Sequence, residues 1–536
     1  MSTDISPVFL HTILSGQLIV SSLLAALSSY IFYQIWLHPL ARYPGPFWAK
    51  LTNLYSVVHA IRGDRHEDLY RLHRRHGRIV RIGPDRVSIL DVQALEPIYG
   101  FQANVQKSQW YQGFYDVSIF NAIDRKVHAR KRRVMSQAFS SQALRGMEPL
   151  IISAIRDWCL ALGDRHPQAM RNRETQSNGV SSGHEEAWSI PKDMVHWSAC
   201  VIFDALGEIC FGSTYNTSLS TANHFFFPLM ALNVRILNIC GQMPILRRLG
   251  IDKYMRMGTA ANRKRQIAFS QQQLATRLGS NPNNRHDIVY YLQKARDPDT
   301  GEGYSQQELI SEVTLLLGAG ASCPCASYIY CASYISFTKS TSGSDTANTA
   351  LTATFYFLSH HPSILSRLTT EIRSTFTTLE SIVPSFTLSA HSYLRACIEE
   401  SMRLCPPDPN GPAPRSSSRG TLPRRGPFLP SGHGARTIRV GGYYVRTGGG
   451  VSAEVMTHQR KAFVPFSLGP RACIGRSLAI VELEISIARV LWMYDLRLAP
   501  GTEGLGVGRD REYKMRDNFI VGKKGPVLQF REVVRG

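Results

Sequence analysis

Between Val8 and Leu37 the chain is almost free of charge, and from Ile19 to Trp36 it is dense in Leu, Val, Ala, Ile, Phe and Tyr. A helix of that length crosses a hydrocarbon layer about 30 Å thick. Asp4 is the one charged side chain before it, whereas Arg42 and Lys50 follow it. Basic residues favour the cytosolic side, so the body is expected in the cytosol behind a single-pass anchor, residues 1–37. A cleaved signal peptide fits less well, since such peptides usually begin basic and carry a shorter apolar stretch. Pro39, Pro44 and Pro46 then forbid a continuing helix, and residues 38–50 read as a stiff proline-rich hinge. Residues 51–536 form the body.

In the body, β-formers at Gly77–Ile82 and Val87–Leu90 flank Gly83-Pro84-Asp85, the pattern of a hairpin. After that the apolar spacing turns helical. Helices are predicted over Gly146–Leu162, Met194–Phe211, from Gln306 to Gly318, and over Ser363–Thr377, Leu388–Leu404 and Arg476–Leu496. A polar loop runs from Arg165 to Ala187. The fold class expected is mostly α with small β-sheets, in one large domain. The run Phe225-Phe226-Phe227-Pro228-Leu229-Met230 admits two readings: a segment that dips into the membrane beside a substrate entrance, or core packing.

The net charge of +21 invites a polyanionic partner. The basic residues are scattered, however, apart from Arg130-Lys131-Arg132-Arg133, and no zinc-finger spacing accompanies them. A solvated surface beside a membrane or an acidic protein partner is preferred over nucleic acid. The 10 cysteines are spread too thinly for a disulfide framework, which suits reduced thiols in a cytosol-facing protein.

The candidate chemistry lies in Phe463–Arg476, a Gly-Pro loop with one cysteine ahead of an amphipathic helix. Phe466, Gly469, Arg471, Cys473 and Gly475 spell Phe-x-x-Gly-x-Arg-x-Cys-x-Gly, and Ala479 follows. This resembles the haem loop of the cytochrome P450 family at every fixed position. Glu400-Ser401-Met402-Arg403 is similar to the family's Glu-x-x-Arg, with spacing that puts both side chains on one helix face. His128 and Arg132 stand where the family places an aromatic and then a basic residue. Gly343-Ser344-Asp345-Thr346 is similar to the family's distal Gly-x-Asp-Thr motif. The likeness covers Pro39 to the C-terminus, and its wording is most similar to fungal microsomal members.

The resemblance implies haem b held by the Cys473 thiolate as axial iron ligand. It implies that Gly469 and Gly475 allow close approach to the porphyrin, that Phe466 packs beside it, and that backbone N–H groups after Cys473 tune the sulfur. Arg471 and Arg132 would meet haem propionates. Asp345 and Thr346 would relay protons to dioxygen. Glu400 and Arg403 would lock the core around the loop. The reaction implied is oxidation, in the first place hydroxylation, of a small apolar molecule in secondary metabolism, at the endoplasmic reticulum membrane. Electrons would come from NADPH through a separate cytochrome P450 reductase, since this chain carries no flavin or nicotinamide signature. An isomerase or peroxide-using enzyme of the same fold is the rival within haem chemistry.

Two departures from the family qualify this. The distal helix is interrupted by Ala321–Gly343, rich in Ser, Tyr and Cys, with Pro324 near its start. Direct joining of its flanks would give Ala-Gly-Ser-Asp-Thr, so the segment reads as a translated intron. Cys323, Cys325 and Cys331 fit no familiar zinc spacing. Ahead of the loop, Val451–Lys461 leads almost at once into Phe463, and several tens of family residues are missing, including the arginine that completes the Glu400–Arg403 triad. The alternative function is therefore a catalytically impaired or inactive P450-like protein.

Overall fold

The computed structural model describes residues 7–107, 111, 117–166, 188–279, 285–321, 326–331, 335–340, 343–406, 436–440, 443–447, 461–508, 512–518 and 521–533. Residues 167–187 of the expected polar loop and residues Cys323 and Cys325 lie outside the described residues.

The apolar start is a helix, α1 (Pro7–Phe32), which continues through a wider turn at Tyr33–Leu37. The stretch Ser15–Leu37 is long and apolar enough to span a membrane, and only 6% of its most apolar window is buried. The hinge is pinned rather than loose. Arg81, fully buried, donates to the Gln34 carbonyl at 2.7 Å and to Gln34 Oε1 at 2.6 Å. Its own backbone N–H bonds the Pro44 carbonyl at 2.7 Å. A Cβ on Gly45 would meet the Arg81 carbonyl at 2.0 Å, so only glycine permits this approach. Ile79–Gly83 and Arg86–Ile89 form the expected hairpin, with Ile79 opposite Ile89.

The body is mostly helical. Its principal helices are α2 (Arg125–Ala138), α3 (Ser141–Leu162), α4 (Met194–Phe211), α5 (Phe226–Gln242), α6 (Gln306–Ala321), α7 (Gly343–Ser359), α8 (Pro362–Thr375), α9 (Ser392–Leu404) and α10 (Arg476–Met493). Their ends follow local chemistry. Asp124, Ser140 and Asp193 accept from backbone N–H groups in the first turns of α2, α3 and α4, and Gly212 closes α4 in the left-handed conformation. The helix expected from Leu388 starts later, at Ser392, because the His391 ring caps the Leu394 N–H at 3.3 Å. The final helix stops at Met493, and Tyr494–Leu498 becomes a strand paired with Val527–Glu532. One large core joins α3, α4, α7, α9 and α10, with Trp158, Ile202, Phe355, Leu394 and Leu491 fully or almost fully buried. Met194–Phe211 is apolar enough to span a membrane, but 72% of its window is buried, which makes it the core's central helix.

Phe226 is 1% exposed and packs with Phe203, Tyr215 and Phe269. Phe226 and Leu229 of the Phe225–Met230 run are therefore core, whereas Phe225 and Phe227 are half-buried and Pro228 is exposed; Thr221–Gln242 is also apolar enough to span a membrane, with 50% of its window buried.

Glu482, on α10, is 3% exposed, and its Oε1 has no hydrogen-bond partner among the described residues. Burial pushes its carboxyl up to about 8. The folded state thus binds a proton that the unfolded chain releases near its ordinary carboxylate range. Stability falls as pH rises through that interval and levels off above the folded value. Glu482→Gln removes the cost. It is expected to raise stability by about 1–3 kcal/mol at pH 8 and by little at pH 5, read from denaturant midpoints at both values.

Candidate functional site

The loop ahead of α10 is closed by its own backbone. The Cys473 N–H donates to the Phe466 carbonyl at 2.8 Å, Ala472 N–H to Gly469 at 3.0 Å, and Ser467 N–H to Val464 at 3.0 Å. Gly469 sits at φ 66°, and a Cβ there would strike the Tyr99 carbonyl at 1.8 Å. Glycine is thus required here to seat the loop on the Leu95–Tyr99 helix. Gly475 is the N-cap of α10, so the helix directs its positive end at the loop. Atoms crowd the Cys473 sulfur, and burial pushes the thiol above its ordinary range; the Gly475 N–H and the Arg132 and Arg476 guanidiniums pull the other way. These three are donors and charges that favour a thiolate. Phe466 is half-buried, with the Arg476 guanidinium 5.7 Å from its ring centroid.

Three nitrogenous side chains gather beside this loop. Arg132, from α2, donates to the Ala472 carbonyl at 2.5 Å. Arg471 donates to the Ala122 carbonyl at 2.8 Å and to the Ile123 carbonyl at 3.2 Å. His128, one turn before Arg132, is 6% exposed. Burial lowers Arg471 to about 10 and Arg132 in the same direction. Burial, then Arg471, Lys107 and Arg132, drive His128 down to about 2, so its ring is neutral. Among the described residues no carboxylate forms an ion pair with Arg132 or Arg471. Two half-buried guanidiniums served by backbone carbonyls alone are costly. They suit an anionic group lying beside Cys473, and the donor set fits a haem whose propionates supply that charge.

The rest of the basic run corrects the expectation of a solvated face. Arg130 pairs with Glu308, Lys131 with Glu308 at 3.1 Å and Glu312 at 3.0 Å, and Arg133 with Asp297 at 2.6 Å and Asp299 at 3.1 Å. Glu312 is fully buried and also accepts from the Ile119 N–H at 2.8 Å. Arg130 and Lys131 thereby fasten α2 to α6, Arg133 ties it to the Asp297–Asp299 turn, and Arg132 faces the loop. Sequence reading missed these acids because they lie far along the chain. Lys131→Met would strand the buried Glu312 charge, at a cost of about 3–5 kcal/mol. Thermal unfolding should show most of that loss recovered in the double variant Lys131→Met, Glu312→Gln.

On the opposite flank, α6 ends at Ala321 and α7 begins at Gly343; between them Ala326–Cys331 and Ile335–Ser340 pair as antiparallel strands, the first also pairing with Val105–Lys107. Thr346 is half-buried in the first turn of α7; Asp345 is in the same turn, and its side chain lies outside the described residues. Glu400 and Arg403 form a two-point ion pair on α9 at 2.6 and 2.7 Å. Among the described residues no third group completes it, and the segment 448–460, with Arg460, lies outside them.

A family profile, Cytochrome P450, matches residues 43–322, 336–421 and 452–507. Curated relatives agree along nearly the whole chain. A cytochrome P450 monooxygenase, poxM, of Penicillium oxalicum is 32% identical over 94% of this chain and 92% of its own length. The monooxygenase atnE of Emericella nidulans is 31% identical over 93% of each chain. AKT7 of Alternaria alternata, another cytochrome P450 monooxygenase, is 30% identical over 95% of this chain and 96% of its own.

Proposed function

The chain belongs to the cytochrome P450 family, and from that premise we propose a haem-thiolate monooxygenase that hydroxylates a small apolar molecule, with Cys473 as the axial iron ligand. The observation that carries the reading is the convergence on one sulfur of the Gly475 N–H, the start of α10 and the Arg132 guanidinium. When bound, haem supplies dioxygen activation and the electron-transfer centre. The chain's own residues do the rest. Gly475 and the helix end hold negative charge on the sulfur. Arg132 and Arg471 are the side chains placed to receive the propionates, and neutral His128 packs beside them without adding charge. Glu400 and Arg403 pair with each other on α9, where the family likeness proposes that they lock the core around the loop. Asp345 and Thr346, in the first turn of α7, are the residues proposed to hold and pass protons on the distal side.

The proposed redox partner is a membrane-bound NADPH-dependent reductase, and the proposed place is the endoplasmic reticulum membrane, anchored by α1. Exposed Phe47, Trp48, Leu54, Val58 and Ile61 follow the anchor. Tyr30 of the anchor bonds the Leu51 carbonyl at 2.8 Å, so this apolar surface stays next to the span. The similarity to fungal monooxygenases supports a tailoring role in secondary metabolism. The test is expression with a reductase in microsomes and identification of products from a panel of apolar metabolites. Oxygenated product that depends on NADPH supports the reading. Turnover with peroxide alone, or isomerisation without reductase, contradicts it.

A second reading rests on one observation, the break between α6 and α7. If the chain keeps Ala321–Gly343, we propose that it is impaired, because the helix that carries Asp345 and Thr346 begins anew rather than continuing. The family match also skips residues 323–335 and 422–451, at or beside both departures.

A further inference from the structure

We propose that His196, Cys200 and His224 form a transition-metal site, independent of the haem site, that takes one zinc-type divalent ion. His196 and Cys200 are one turn apart on α4, with His196 Nε2 at 3.6 Å from Cys200 Sγ. His224 comes from the turn before α5, its ring 4.4 Å from that of His196 and near-perpendicular to it. One ligand atom from each of the three lies within 4.8 Å of the others. Zinc bonds of about 2.0–2.3 Å to nitrogen and sulfur in a tetrahedron separate ligand atoms by somewhat less, so small side-chain rotations complete the set.

Two features go beyond proximity. His224 donates its Nε2–H to the Thr217 carbonyl at 2.7 Å, the outer bond by which metal-binding imidazoles are commonly oriented. That tautomer leaves the Nδ1 lone pair for an ion. The carbonyl is itself fixed, because buried Asp204, one turn beyond Cys200, accepts from Thr217 N–H and Ser218 N–H, each at 2.8 Å. α4 therefore sets the position of all three ligands. Both imidazoles are half-exposed, and this gives an entry path; Cys200 lies behind them, and Phe227 stands against His196 at 5.2 Å as an apolar wall. One thiolate and two imidazoles select zinc-type ions over magnesium or calcium and leave a fourth position for water. On binding, the Cys200 S–H bond breaks, the sulfur–metal bond forms, and the proton leaves to solvent, with no change of oxidation state.

The probe is Co2+, added to haem-loaded full-length protein freed of metal by chelation. One equivalent should bind with tetrahedral cobalt bands and a thiolate charge-transfer band, and Zn2+ should displace it. Cys200→Ala should abolish the charge-transfer band. His224→Gln, which keeps a polar group near Thr217, should weaken binding by more than about 10-fold, the lower end of what outer contacts alone are worth. It also gives a reading should Cys200→Ala misfold. If the parent protein takes up no Co2+, or if the band persists in Cys200→Ala, the site does not exist.

Discussion

Cys473→Ala is expected to lose haem and all oxygenation while still folding. The cysteine contributes no core packing that alanine could not approximate, and the backbone bond from its N–H to Phe466 survives the change. What disappears is the only group in this loop that can bind iron as an anion. The Gly475 N–H, the α10 terminus and Arg132 would then face no sulfur. Far-ultraviolet circular dichroism and the unfolding midpoint should stay within about 1 kcal/mol of the parent, as befits a change of one half-buried side chain. Haem content after purification and NADPH-driven product formation should both fall to background. Loss of the fold along with the haem would point to a structural role. Retention of both haem and turnover would remove Cys473 from the chemistry.

The second large effect is expected from excision. Deleting Ala321–Gly343 joins Gly320 to Ser344, so α6 and α7 can run on as one helix over the distal face. At present the break leaves the last carbonyls of α6 and the first N–H groups of α7 without intrahelical partners, up to four of each. Each backbone bond regained contributes about 0.5–1.5 kcal/mol. Continuity also fixes the register of Asp345 and Thr346 relative to Glu308 and Glu312, which α2 holds through Arg130 and Lys131. The shortened chain should hold more haem per protein and turn over faster than the parent, by several-fold. A mature transcript that contains the codons for Ala321–Gly343 would refute the intron reading, and a shortened chain that binds less haem would contradict the expected gain.

What sequence could reveal followed from how local each signal was. The hairpin, α4 and the Cys473 loop were legible because neighbouring residues carry their whole pattern. The start of α10 was legible for the same reason, but its end was not. The periodicity of Leu491–Leu496 continues past Met493, and only pairing with Val527–Glu532, far along the chain, makes Tyr494 the first residue of a strand. α2 went unseen because Arg125–Arg133 hides its apolar face among basic residues. The same run looked solvated because its partners, Glu308, Glu312 and Asp297, lie on distant segments. Arg132 and Arg471 were named from resemblance; their shared lack of an acidic partner among the described residues is a three-dimensional fact. The packing of Phe226 was not legible because its partners Phe203 and Tyr215 lie on and just after another helix. The buried Glu482 gave no signal in the sequence, since a lone acid on a helix is ordinarily at the surface.

The claim on which the rest depends is that the Cys473 sulfur binds iron as a thiolate. Reduced, haem-loaded protein exposed to carbon monoxide reports on the axial ligand directly. The red-shifted absorbance of a thiolate-ligated haem is expected in the parent chain or, if the distal break prevents assembly, in the chain shortened by Ala321–Gly343, and it should be missing in the matching Cys473→Ser variant. A haem–carbon monoxide spectrum without that shift, or one unchanged by Cys473→Ser, would contradict it.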